Sequence, residues 1–373
     1  MKLINLQVKN FRNIKQLTLN ITKNINIIYG GNAQGKTSIL EAIYLLGITK
    51  SFRVNDDRAI VNSGNEFYEV RGTFRKNLKN TFNIRLFFSI NEGKHLFLEQ
   101  KKVKTFSEMI GKVPVILLSL EDLELTYGSP SFRRKFIDIL ISQIDPLYLQ
   151  ALKQLIRILK NRNKLLSMIK EGGQKEEALI PWNLQLAEHA SYVCLKRHEI
   201  IEEINPLIYH FYKNVSGRNE KIEIKYKSFF DVAALKEKEV IKTLYLKKLD
   251  EVKERDINYT TTTIGPHRDD LIFFKDDALI KIFGSQGENK TFLISLKFAE
   301  AVLMEKRIDE KPILLLDDIF SELDLTRIQK VVENIQQLQF QTFITTTNAE
   351  KFDSGLSDVG LWHVQNGQVH YEA

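Results

Sequence analysis

Residues 25–46 read INIIYGGNAQGKTSILEAIYLL. Within them Gly30-Gly31-Asn32-Ala33-Gln34-Gly35-Lys36-Thr37 fits the pattern G-x-x-x-x-G-K-[ST] of a phosphate-binding loop. An apolar strand, Ile25 to Tyr29, precedes it. The helix that follows carries Ile39, Leu40, Ile43 and Leu46 on one side. That context separates the stretch from an ordinary glycine-rich turn. Glycines let successive backbone N–H groups turn inward around phosphate oxygens, and the helix N-terminus adds partial positive charge. Lys36 reaches the β and γ phosphates, and Thr37, followed by Ser38, is placed to ligate Mg²⁺. ATP and Mg²⁺ are therefore the expected cofactors.

Such a loop needs an acidic partner at the tip of a buried strand. Ile313-Leu314-Leu315-Leu316-Asp317-Asp318 supplies it: a continuous apolar run implies burial on both faces, as in a parallel sheet, where ligands sit beyond the carboxyl ends. Asp317 is the expected magnesium-side carboxylate and Asp318 the group that orients the attacking water. The bland alternative, aspartates capping the next helix, fits Asp318 better than Asp317. A third element, Gly284-Ser285-Gln286-Gly287, opens a helix with Phe292, Leu296, Ala299 and Leu303 on one stripe. Ser285 and the free N–H groups there form another anion-binding terminus, though alone a Gly-Ser turn before a helix reads as a cap.

Outward from these motifs, residues 1–100 are strand-rich. Leu120 to Asp256 change to long helical patterns broken at Asp145-Pro146, Glu171-Gly172-Gly173 and Pro181. Strand signals return after Tyr259, and Leu361 to Tyr371 around Asn366-Gly367 has the pattern of a two-residue hairpin. The expected organisation is an α/β head from 1–115 and 257–373, with a helical insertion at 116–256. No sustained heptad pattern supports a coiled-coil arm.

The 373 residues carry 54 Lys+Arg against 47 Asp+Glu, a formal net charge of +7, which weakly favours a polyanionic partner. Cys194 is the single cysteine, so no internal disulfide exists; together with the absence of a signal peptide or an apolar run long enough to span a bilayer, this points to the cytoplasm. The histidines are scattered singly, without zinc spacing.

Taken in order, the motifs resemble the ATPase heads of the ABC class. NFRNI (10–14), GNAQGKTSILEAIYLL (31–46), EDL (121–123) followed by GSPSFRRKFID (128–138), GPHRDDL (265–271), SQGENKTFLISLKFAE (285–300) and LLLDDIFSELD (314–324) together resemble the RecF family of recombination mediators. That resemblance implies an ABC-type head, with a mixed sheet lobe and a parallel P-loop sheet, plus an inserted, mainly helical domain. It also implies an ATP-dependent homodimer in which each nucleotide lies between Gly30–Thr37 of one subunit and Ser285, Gln286 and Gly287 of the other, with Ser321–Asp324 at the same interface. Lys36, Asp317 and Asp318 are its implied catalytic residues. It further implies weak, DNA-stimulated ATP hydrolysis. The implied role is binding of duplex and gapped DNA, without sequence specificity, in a DNA repair and SOS pathway with RecR, RecO and RecA.

Two departures bear on rate. The signature reads SQGEN where transporter heads have SGGQ, and Asp318 stands where many ABC ATPases have a longer Glu. A transporter subunit coupled to a membrane is the rival reading; a P-loop kinase of small molecules, or ATP acting only as structural glue, are the others. Arg53, Arg58, Arg71, Arg75, Lys76, Lys79, Arg133, Arg134 and Lys135 are plausible phosphate contacts. GPHRDDL reads as a structural ion-pair knot in preference to an acid–base cluster.

Overall fold

The computed structural model describes residues 1–76, 80–231, 237–320, 323–349 and 358–372, and residue 283 by its backbone alone. The chain divides into two compact units: Met1–Leu123 with His210–Asn219 and Ser285–Ala373, and Glu124–Tyr209 with Glu220–Gly284. These limits place residues 116–123, 210–219 and 257–284 differently from the boundaries expected from sequence.

The first unit holds two six-stranded sheets. In one, the order is Ile14–Asn20, Lys2–Phe11, Phe67–Arg75, Thr81–Ser89, Gly93–Leu98, Lys101–Lys102, antiparallel throughout. Alternation along these strands buries Val70, Phe74, Ile84, Leu86 and Phe88 on one face. In the other, Val359–Gln365, Ile25–Tyr29, Thr342–Thr346, Ile313–Asp317 and Val115–Leu118 run parallel, and Gln368–Glu372 adds an antiparallel edge. Its central strands are buried on both faces, which is why they read as continuous apolar runs. The closing hairpin turns at Asn366 and Gly367, both at positive φ (50° and 74°), as a type I′ turn requires.

Register puts the site together. Tyr29 pairs with Thr346 and Asp317 with Thr345, so the strand ends that launch the phosphate loop and the acidic pair finish at one edge, with residues 342–346 between them. The helix Lys36–Ile48 packs against strands of both sheets and is buried from Ser38 through Ile48, Glu41 included. The one-sided apolar stripe expected from sequence is thus too narrow, because the helix is covered on two sides.

The second unit contains the helices Pro130–Ile144, Pro146–Lys170, Lys238–Glu251 and Lys253–Tyr259, most of the long helix Ile180–Ser216, and a three-stranded sheet of Ile222–Lys227, Asp270–Lys275 and Ala278–Leu279. Asp145 ends one helix and caps the next, accepting from Leu147 N (2.9 Å) and Tyr148 N (3.0 Å). Pro181 sits in the opening turn of its helix, where a missing N–H costs nothing. A fully buried ion pair, Arg162–Asp256 at 2.8 Å, is completed by Thr262 and Asn183. Thr263 meets the other Asp256 oxygen through its N–H and its hydroxyl, while Arg162 Nη2 is buried without a hydrogen-bond partner among the described residues, so the pair is held by all but one of its polar atoms. Among the described residues, no helix is long and apolar enough to cross a membrane.

Candidate nucleotide-binding site

Gly30 has φ +148°, and a Cβ there would lie 2.2 Å from the Val364 carbonyl oxygen. Gly35, at φ +115°, sits directly before the helix, against the Asn13 side chain. Only glycine meets both demands. Lys36, the residue after Gly35, is nearly buried (8% exposed) and its Nζ donates to the carbonyls of Gly30 and Gly31, 2.7 Å each. Burial holds its ammonium below the ordinary lysine value, against the opposing pull of Asp318 and Asp317.

Thr37 Oγ1 donates to Asp317 Oδ1 at 2.9 Å, so the two residues expected to share a cation already touch. Thr345 binds them further: its Oγ1 donates to Asp317 Oδ1 at 2.6 Å and accepts from the Asp318 N–H at 2.9 Å. Asp318 takes the left-handed conformation, φ 50°, which turns the chain away at the strand end. A carboxylate beside a hydroxyl suits a hard cation that takes its other ligands from phosphate and water. These residues line a cavity of about 780 Å³ together with Asn32, Ala33, Gln34, Gly35, Ser38, Arg12, Asn13, Arg53, Ala59, Val61, Asn62 and Ser63, a volume ample for a nucleotide.

Arg12, inside NFRNI, carries no assigned role in the sequence reading, and Arg53 is among the expected DNA phosphate contacts; both pair with Glu41, at 2.7 and 3.4 Å, and Glu41 is fully buried on the loop helix. Thr345 left no sequence signal, because a Thr in a buried strand is ordinary there until its neighbours are known.

The expected signature residues lie elsewhere. Ser285 caps the helix Gln286–Ile308 in a capping box: its Oγ accepts from Glu288 N at 3.3 Å, and its own N–H donates to Glu288 Oε2 at 2.9 Å. Ser285 and Gln286 are exposed. Gly287 packs against Arg327, whose Nη1 would lie 2.7 Å from an added Cβ, and Arg327 pairs with Asp324 at 3.4 Å. Structure therefore gathers Ser285, Gln286, Gly287 and Asp324 into one cluster and Gly30–Ser38, Asp317 and Asp318 into another; the first cluster does not line the cavity. The helix-cap alternative for Asp318 is overturned: the next helix, Leu325–Leu338, is capped by Asp324, which accepts from Arg327 N at 2.9 Å. Ser321 and Glu322 of the same motif lie outside the described residues.

GPHRDDL is built as a knot within the second unit. Arg133 forks onto both oxygens of Asp270 at 2.7 and 3.0 Å, Arg134 donates to the Asp269 carbonyl, and the Asp269 carboxylate accepts from Tyr226. His267 Nε2 lies 3.0 Å from the Thr262 carbonyl, and burial pushes its pKa down to about 4. Arg133, 6% exposed and engaged with Asp270, is removed from the candidate DNA contacts because a guanidinium already held in a buried fork has no face left for phosphate. Lys79 lies outside the described residues.

The model of the family described as "RecF/RecN/SMC N terminal domain" matches residues 2–370. Proteins named "DNA replication and repair protein RecF" from Bacillus cereus (strain G9842) and Bacillus thuringiensis (strain Al Hakam) are each 38% identical over 369 residues, 98% of this chain and 98% of theirs. A solved structure described as the recombination mediator protein RecF-ATP in the RecFOR pathway superposes with TM-score 0.91 at 34% identity, covering 100% of this chain and 97% of that one. Its RecF-ATPrS counterpart gives 0.90 at 33%, covering 100% and 98%. An Smc head bound to the C-winged helix domain of ScpA, 15% identical with TM-score 0.59 and covering 100% and 98%, shares the fold. With a family match over nearly all of its length and a common fold over the whole of it, this chain belongs to the RecF family, an ABC-type ATPase head with an inserted domain.

Proposed function

We propose that this protein is an ATP-gated, DNA-binding dimer of recombinational repair, which binds duplex or gapped DNA and acts with RecR, RecO and RecA at single-strand gaps. The carrying observation is the separation of the two clusters. One face offers a phosphate loop with Lys36, Thr37, Asp317 and Thr345 in place; the Ser285–Gly287 turn and Asp324 lie outside that cavity. A nucleotide bound at residues 30–37 presents its γ phosphate outward, where the helix N-terminus at Ser285 of a second copy supplies the missing N–H donors. Thr37 and Asp317 would hold Mg²⁺, which when bound would neutralise charge on the phosphates. Lys36 positions the phosphates, and Asp318 orients water. Asp318 is shorter than glutamate, so hydrolysis is slow and suited to timing; its stimulation by DNA is proposed from the family resemblance. Loss of the shared phosphate then releases the pair. The proposed setting is the cytoplasm.

Sedimentation of the full chain with and without ATP tests this reading. Wild type is expected to pair with ATP. Lys36→Ala is expected to lose nucleotide binding and pairing together, and Ser285→Ala to bind ATP as a monomer yet not pair. Normal ATP-driven pairing by both variants overturns the shared-site reading.

A further inference from the structure

The antiparallel sheet of the first unit has a second face, opposite Val70, Ile84 and Leu86. Its residues are half-buried or exposed. Register aligns two rows across it: Gln7, Arg71, Arg85, Phe97 and Lys102, and Lys9, Glu69, Phe87 and His95. Phe67 follows on the same face, two residues before Glu69. Lys9 Nζ lies 5.5 Å from the Phe67 ring centre, Phe67 and Phe87 are 5.7 Å apart, and the Arg85 guanidinium is 5.4 Å from Phe87 and 5.1 Å from Phe97. Aromatic rings and cations thus alternate over five strands, a span of roughly 20 Å.

Charge on this face is unbalanced. Lys9, Arg71, Arg85 and Lys102 outnumber the carboxylates beside them, which are Glu69, 14% exposed and tied to Arg71 and Arg85, and at the rim Glu92, 3.8 Å from His95. The tie fixes both guanidinium groups while leaving them 52% and 39% exposed. Three part-exposed phenylalanines on a solvent face cost free energy in a sheet whose other face already supplies the core. Fixed cations among them favour a polyanion that also carries flat apolar surfaces.

We infer that this sheet face is a binding platform for single-stranded DNA, with bases stacking on Phe67, Phe87 and Phe97 and phosphates meeting Lys9, Arg71, Arg85 and Lys102. Duplex DNA hides its base faces within the helix and gains nothing from the rings; a single strand offers both bases and backbone. Stacking is indifferent to sequence, as is charge. This platform rests on the proposed action at gapped DNA and supplies the part of that reading the nucleotide site does not, a means of telling a gap from a duplex.

The test is binding of a labelled short oligo(dT) and of a labelled duplex to the full chain, wild type and an Arg85→Gln, Phe87→Leu, Phe97→Leu variant. Expected is at least tenfold weaker oligo(dT) binding, with ATP binding and thermal midpoint unchanged and duplex affinity nearly so. Unchanged oligo(dT) affinity, or equal loss for both DNAs, overturns the platform. Should the triple variant misfold, ultraviolet crosslinking of a bromodeoxyuridine-substituted DNA strand to wild type decides: adducts at Lys9, Phe67, Arg71, Arg85, Phe87, Phe97 or Lys102 support the platform, and adducts confined elsewhere overturn it. Failure of the ATP-gated reading would show separately, as absence of ATP-driven pairing in wild type.

Discussion

Thr345 shows what a single hydroxyl does at this site. It is 1% exposed, and its oxygen bridges the Asp317 carboxylate and the Asp318 backbone, so both acidic residues take their position from it. Thr345→Val keeps the β-branched shape that the strand packs and removes only that oxygen. ATP turnover is expected to fall about tenfold to a hundredfold, the usual cost of losing a group that orients a cation ligand, while ATP binding stays within a few fold. Phosphate release at saturating Mg-ATP, beside a nucleotide-binding titration, checks this; wild-type turnover in the variant would deny Thr345 a positioning role. Lys36, Thr37 and Asp317 were legible because their spacing along the chain announces them. Thr345 was not, since its partner lies 28 residues away and across a strand pair.

At the scale of elements, the turn Thr262–Asp270 joins two titrations of opposite sign. Burial pushes His267 down to about 4, so the folded protein keeps it neutral. Its contribution is whole above the ordinary value of 6.5 and is lost as pH falls toward 4. Burial pushes Asp269 up to about 6 from 3.8, so its contribution is whole at low pH and is lost as pH rises through about 6. The two oppose each other across one window and flatten the pH response. His267→Gln preserves a donor for the Thr262 carbonyl and removes the acid-side loss. Lowering the pH from neutrality toward 5 is therefore expected to raise the variant's thermal midpoint relative to that of wild type, read by scanning calorimetry at matched pH. A constant difference between the two proteins across that window would mean that His267 does not titrate as its burial dictates. Capping follows the same local logic: Ser285 reads as a cap and is one, whereas the cap reading of Asp318 fails because Asp324, which carried no such reading, meets the first free N–H groups of the helix that begins at Leu325.

For the whole molecule, an excess of 54 Lys+Arg over 47 Asp+Glu becomes useful only where cations share a surface. DNA affinity of the ATP-bound protein is expected to fall steeply with salt, by on the order of a thousandfold between about 50 and 200 mM, as counterions released from phosphates are bound again. An affinity indifferent to salt would mean that backbone charge is not what the protein reads. Sequence by itself determined the class of fold, the phosphate loop, the acidic strand tip, the hairpin at Asn366-Gly367 and the helical character of the insertion. Each is written in neighbouring residues, in a 3.6- or 2-residue period or in a turn whose backbone only certain residues adopt. Tertiary structure alone decided that residues 342–346 lie between the loop strand and the acidic strand, that Arg12 and Arg53 converge on buried Glu41, that Arg133 is spent on Asp270, and that Ser285 stands outside the cavity holding Lys36. Those pairings join residues far apart in the chain, and strand order and register, not local preference, bring them within reach of one another.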